Sequence, residues 1–123
     1  MEGPHTLTQG NIDKVKHQAG VYILGGKSSD GSHWGCYVGR SDDDIAARLQ
    51  HWLDLVEGIR QPENDTDRCM LRKNPDHYWR TYSTTAKEAY NEECRIYHEK
   101  DYTCNAIHPA KSSSTWRCPS CGE

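Results

Sequence analysis

Apolar residues along the chain fall into short, well-separated groups. Gly20-Val-Tyr-Ile-Leu24 is a continuous run of strand length, and Trp34-Gly-Cys-Tyr-Val38 is a second. Between them lies Gly25-Gly26-Lys-Ser-Ser-Asp-Gly31-Ser, rich in turn formers, so the two runs predict a β-hairpin. Ser41-Asp-Asp-Asp44 then offers a capping hydroxyl, with three carboxylates near the positive end of a helix dipole. Ile45, Leu49, Trp52, Leu53 and Val56 recur at helical spacing until Gly58 ends the pattern. Residues 58–76 read as a long polar connection with a short turn around Cys69-Met-Leu71. Tyr78–Tyr82 predicts a third strand, and Thr85-Ala-Lys-Glu88 is a capping box opening a helix that runs to about His98.

The expected fold is therefore an α/β (α+β) sandwich. Its small three-stranded, mainly antiparallel sheet is flanked by helices in the order β-β-α-β-α. Residues 1–19 read as a polar N-terminal extension with a short helix from Asn11 to about His17, and residues 20–105 as the main domain. Residues 106–123 read as a Ser-rich linker followed by a Cys-x-x-Cys tail.

Composition sharpens this picture. Leu, Ile and Val supply only 16 of 123 residues and Phe none, whereas seven Tyr and four Trp supply the missing apolar area. A net charge of −3 is too small to imply disorder, and a pI near 6.1 argues against strong non-specific nucleic-acid binding. No apolar run approaches a membrane span, and the polar start is not a signal peptide. The chain thus reads as intracellular, cytoplasmic or in the nucleoid or nucleus, where thiols stay reduced and cysteines point to metal or chemistry.

One residue breaks the helical pattern. Glu93 has Ala89 and Tyr90 one turn before it and Ile96 and Tyr97 one turn after, so its carboxylate lies in the apolar stripe. A lone Glu at such a position can border the core and turn its head into water. If it stays buried it needs a cation, and a metal ion is one such partner.

An ordered set of residues surrounds this Glu: Gly20-Val-Tyr22, Tyr37-Val-Gly39, Arg48 early in a helix, Glu93 on a later helix, and Asn105 twelve residues on. Together with the β-β-α-β-α order, the set resembles the GIY-YIG nuclease family, over roughly residues 20–105. That family includes homing endonucleases and the excision-repair nuclease subunit. The resemblance implies that Tyr37 activates the attacking water, with Tyr22 lining the same site. It implies that Arg48 contacts the scissile phosphate and that Glu93 is the single carboxylate ligand of Mg²⁺ or Mn²⁺. Asn105 would support the site by hydrogen bonding. A phenol is a poor base near neutral pH unless cations lower its pKa, and Arg48 and Arg40 are the nearest by sequence. His51, one turn beyond Arg48, is a candidate for proton transfer or phosphate contact. The chain departs from the family pattern at three points: a longer hairpin loop, one extra residue before Arg48, and Arg at position 40 where some members have Lys.

Cys118-Pro-Ser-Cys121-Gly122 is half of a zinc knuckle. Cys104 and His108 are the most local residues to complete a structural Zn²⁺ site, with Cys69 and Cys94 as alternatives. Residues 68–80 hold four cations against one acid with aromatics interleaved, the best local patch for DNA.

Two functions fit these readings. One is a metal-dependent endonuclease acting on DNA phosphodiesters, branched or damaged DNA included, with a protein partner for targeting. The other is a non-catalytic nucleic-acid- or protein-binding module with a structural zinc.

Overall fold

The computed structural model describes all 123 residues. Four strands and four helices follow one another along the chain. They are β1 (Glu2–Thr6), α1 (Gln9–Ile12), β2 (Gly20–Lys27), β3 (His33–Ser41), α2 (Ile45–Val56), α3 (Asp65–Lys73), β4 (His77–Tyr82) and α4 (Ala86–Tyr97). The sheet is antiparallel throughout, with strand order β1-β4-β2-β3.

The predicted hairpin is β2–β3, longer at both ends than its apolar runs. Its register pairs Tyr22 with Gly39 and Leu24 with Tyr37, then shifts at Gly25. Pairing with β4 on the other side makes β2 central, which accounts for its unbroken apolar run. One layer of the core lies between the sheet and α2, where Leu24, Ile45, Leu49 and Met70 are fully buried. On the other side, Val21 and Val38 meet Ala89 and Ile96 of α4.

Two elements depart from expectation. The sheet has four strands rather than three, because Glu2–Thr6 pairs with β4. Most of β1 is exposed, so no alternation of apolar and polar residues marks it. The expected helix from Asn11 to His17 is instead the short α1, capped by the Thr8 side chain. The connection over residues 58–76 contains the nine-residue helix α3 rather than a brief turn. Its signals are polar: Asn64 caps it, Asp65 and Asp67 lie in the first turn, Arg72 and Lys73 in the last, and Asn74 ends it in the left-handed region at φ 49°. With few apolar residues, α3 escapes a periodicity reading. At α2 the N-cap is Asp44, whose side chain accepts from Ala47 N, while Ser41 Oγ accepts from Asp44 N one turn earlier.

The connection between α2 and α3 hangs on a buried carboxylate. Asp67, 2% exposed, accepts from Arg60 Nη1 at 2.9 Å and from Glu63 N at 2.9 Å. Burial opposes its charge, but Arg60 and the Glu63 N–H outweigh burial and hold the carboxyl below the usual Asp value. A depressed folded-state pKa means that this stabilisation is complete above the unfolded value near 4 and is lost as pH falls through the folded one. Asp67→Ala is expected to cost about 2–3 kcal/mol in urea unfolding at pH 7, with the difference from wild type shrinking below about pH 4. A pH-independent difference would deny the carboxylate this role.

Candidate functional site

An open cleft of about 590 Å³ lies at the Ser41 end of β3, and Tyr37, Arg40, Arg48, Glu93, Asn105 and His108 all line it. Four separate elements bring these residues together. Tyr37 and Arg40 come from β3, Arg48 from α2 and Glu93 from α4, while Asn105 and His108 come from the segment after α4.

Tyr37 and Tyr22 face one another across the hairpin, ring centroids 6.3 Å apart. Tyr22 is fully buried, and its hydroxyl accepts from Trp52 Nε1 at 2.8 Å. It lies behind the cleft wall rather than in it. Gly39 makes the close pairing possible: a Cβ there would stand 2.4 Å from Tyr22 Oη and 2.8 Å from Tyr37 Cε2.

The two arginines divide the work differently from the sequence-based expectation. Arg48 faces both phenols and opposes their rise in pKa. Arg40 does not serve Tyr37. Its Nη1 bonds Glu93 Oε1 at 2.8 Å and its Nε bonds Asp42 Oδ1 at 2.8 Å, and its guanidinium lies 5.1 Å from the Tyr90 ring centre and 5.8 Å from that of Trp116. Burial therefore dominates at Tyr37 and pushes its phenol well above the ordinary value, helped by Tyr22 and Glu93, with Arg48 pulling the other way.

Glu93 is buried at 7% exposure rather than turned out to water. Burial raises its carboxyl, and Arg40 pulls it back toward the charged form. Only Oε1 is bonded by a protein group; the second oxygen has no protein donor. Hard divalent cations take carboxylate oxygens and keep most of their waters, so one available oxygen in an open polar cleft fits such an ion.

Asn105 braces the strand that carries Tyr37. Its Oδ1 accepts from Val38 N at 2.8 Å and its Nδ2 donates to Val38 O at 2.9 Å. His51 falls outside the cleft. It packs edge-on against Trp52 at 5.0 Å, and burial together with Arg48 and Arg60 pushes its imidazole below the ordinary histidine value.

The cysteines also part from expectation. Cys104 is not available to a metal, because it forms a disulfide with Cys69. Thirty-five residues separate the two, and nothing in local spacing links them. The disulfide also departs from the expectation that all thiols are reduced. Cys118, Cys121 and His108 do come together, and the fourth member of their cluster is His98, at the end of α4. His98, Asp42 and Trp116 are the residues that sequence reasoning missed. His98 and Trp116 contribute through contacts with residues distant in the chain, whereas Asp42 bonds Arg40 from two residues away.

The basic stretch 68–80 is divided between α3 and β4. Arg68 pairs with Asp65, and Arg80 with Glu2, which leaves Arg72 and Lys73 without an acidic partner.

No family model matches the sequence, and no curated protein matches it. Among solved structures, the chain is similar to the GIY-YIG N-terminal endonuclease domain of UvrC from Thermotoga maritima. One such structure, a point mutant bound to its catalytic divalent cation, superposes with a TM-score of 0.59 at 16% identity, over 80% of this chain and 94% of that one. Another, with magnesium as the catalytic cation, gives 0.58 at 18% identity over 79% and 93%. The fold is that of the GIY-YIG endonuclease domain, as the sequence resemblance implied.

Gly39→Ala is expected to lower stability by about 2–3 kcal/mol and to alter the near-ultraviolet circular dichroism of the tyrosines, because Tyr22 has no room to retreat. Wild-type values of both would show that the tyrosine pair does not depend on this close approach.

Proposed function

We propose that the chain is a metal-dependent endonuclease that hydrolyses DNA phosphodiester bonds. The observation that carries this reading is the meeting of Tyr37, Arg48, Glu93 and Asn105 in one cleft, from elements far apart in the sequence. The similar UvrC domain, an endonuclease domain bound to a catalytic divalent cation, supports it. Residues 20–105 carry the reacting groups, and residues 106–110 line the cleft beside them.

Glu93 would hold Mg²⁺ or Mn²⁺, and the ion would supply positive charge to the phosphoryl oxygens and the leaving oxygen. Arg48 neutralises charge on the scissile phosphate. Tyr37 positions the attacking water and takes its proton once ionised, and Tyr22 fixes the orientation of Tyr37 from behind. Asn105 positions Tyr37 through the Val38 backbone. Arg40 favours the charged form of Glu93 against burial and so supports its capacity to bind a cation. The thiols and imidazoles of the tail are softer donors than Glu93, so the same reading gives the tail a structural Zn²⁺ and Glu93 a hard cation. Arg72 and Lys73 offer phosphate contacts outside the cleft.

Cleavage of plasmid, branched DNA and RNA with Mg²⁺ or Mn²⁺ tests the reading. Glu93→Gln is expected to lose at least about 10³-fold in rate, and Tyr37→Phe and Arg48→Ala about 10²–10⁴-fold each. Equal rates for wild type and Glu93→Gln would reject the site. Absence of cleavage on every substrate would favour the binding module.

The raised Tyr37 pKa sets the pH dependence. A base works when deprotonated, so single-turnover rates should climb by up to about tenfold per pH unit and still be rising at pH 9. A plateau below pH 8 would assign the proton to another group.

A further inference from the structure

The tail 106–123 contains neither helix nor strand, yet Cys118 is buried and Trp116 stacks on Tyr90 with ring centroids 5.3 Å apart. A polar, Ser-rich segment has little apolar area with which to offset the entropy of its own ordering. Something other than core packing has to hold it.

We propose that His98, His108, Cys118 and Cys121 bind one structural zinc ion that fastens the tail to the end of α4. The donor atoms of these four residues all lie within 4.8 Å of one another. Tetrahedral zinc with sulfur at about 2.3 Å and nitrogen at about 2.0–2.1 Å requires donors about 3.3–3.8 Å apart. Cys121 Sγ and His108 Nε2 already stand 3.5 Å apart, so a small contraction of the others completes the cage.

The surroundings suit the ion as well. His108 Nδ1 lies 3.1 Å from Pro109 O. A proton on Nδ1 donates to that carbonyl and leaves the Nε2 lone pair facing the cluster, the usual second contact of a zinc-bound imidazole. The two cysteines lie on one tight loop, closed by Gly122 N donating to Cys118 O at 2.8 Å. Gly122 has φ +77°, a conformation that favours glycine. Two thiolates with two imidazoles form a closed set of the structural type, with no open position for a reacting water.

The ligand set differs from the one that local spacing suggested, since His98 takes the place of Cys104. It deepens the zinc reading of the tail and does not depend on nuclease activity. It also gives the ion a task in the cleft. Ser112 in the tail accepts from Arg40 Nη2 at 3.0 Å, and Trp116 covers the same guanidinium. Zinc thereby keeps in place the two groups that hold Arg40 against Glu93.

The test is metal content of the full chain purified without chelator. Wild type should carry about one zinc per chain, and His98→Ala and Cys121→Ser less than about 0.3. Cys104→Ser, Cys69→Ser and Glu123→Gln should stay near one. The last is a rim control, with its carboxylate 3.7 Å from Cys121 Sγ. Glu93→Gln should also keep its zinc, which separates this outcome from any failure of the nuclease reading. Replacement by Co²⁺ in the wild type should give the visible bands and thiolate charge-transfer absorption of a tetrahedral site with two sulfurs and two nitrogens, a readout independent of whether the variants fold. Less than about 0.3 zinc in wild type would overturn the proposal. So would full zinc in His98→Ala, or a cobalt spectrum with three or four thiolates.

Discussion

A carboxylate set into the apolar face of α4 must be answered by positive charge, and in this chain Arg40 answers it. The pair is almost dry: the side chains of Arg40 and Glu93 are 10% and 9% exposed. Removing either partner would strand a buried charge, the costly way to break such a pair. Much else is arranged around that bond. It joins β3 to α4 across the cleft, Asp42 takes a second edge of the guanidinium, and Tyr90 and Trp116 close over its faces. The tail is held where it is partly because Arg40 needs those neighbours.

A second constraint comes from the shortage of aliphatic side chains. Aromatic residues fill a core well, but each Tyr or Trp brings a polar atom that needs a partner. Tyr22 and Trp52 answer each other, indole N–H to phenol oxygen, at the centre of the layer between the sheet and α2. Tyr37 then rests against Trp52 at 5.2 Å. The residue that faces the cleft is thereby set on a rigid aromatic stack rather than on a loop. The core and the cleft wall are built from the same rings, which explains how a chain with so few Leu, Ile and Val can hold the Tyr37 phenol in a fixed place.

Much of this architecture was legible in the sequence where local periodicity carried it. The β2–β3 hairpin, α2 and α4 announce themselves by apolar spacing and caps, and Glu93 stands out because it interrupts a stripe. What was not legible depended on partners remote in the chain. β1 is exposed over most of its length and exists because β4 needs a neighbour. Arg40 sits three residues from Tyr37 but turns to an acid 53 positions away. Cys104 lies close in sequence to the tail cysteines, yet the fold places it against Cys69 and leaves His98 beside them. Spacing ranks partners by distance along the chain, whereas folding ranks them by distance in space. The pKa of Tyr37 illustrates the same point: of the two cations foreseen to lower it only Arg48 acts on it, and burial outweighs that pull.

Asn105 has a consequence beyond the support of Tyr37. In the order β1-β4-β2-β3, β3 is an outer strand, and outer strands expose unpaired amides and carbonyls on which another chain can template. The Asn105 carboxamide imitates a peptide unit, giving Val38 the donor and acceptor that a fifth strand would have supplied, and Cys104 N satisfies Cys36 O beside it. At the opposite margin, Pro4 in β1 has no N–H to offer and Glu2 carries charge. The middle of β3 is thus closed to a further strand by the segment after α4, and β1 offers a poor template at the other margin, two devices that work against strand-to-strand association.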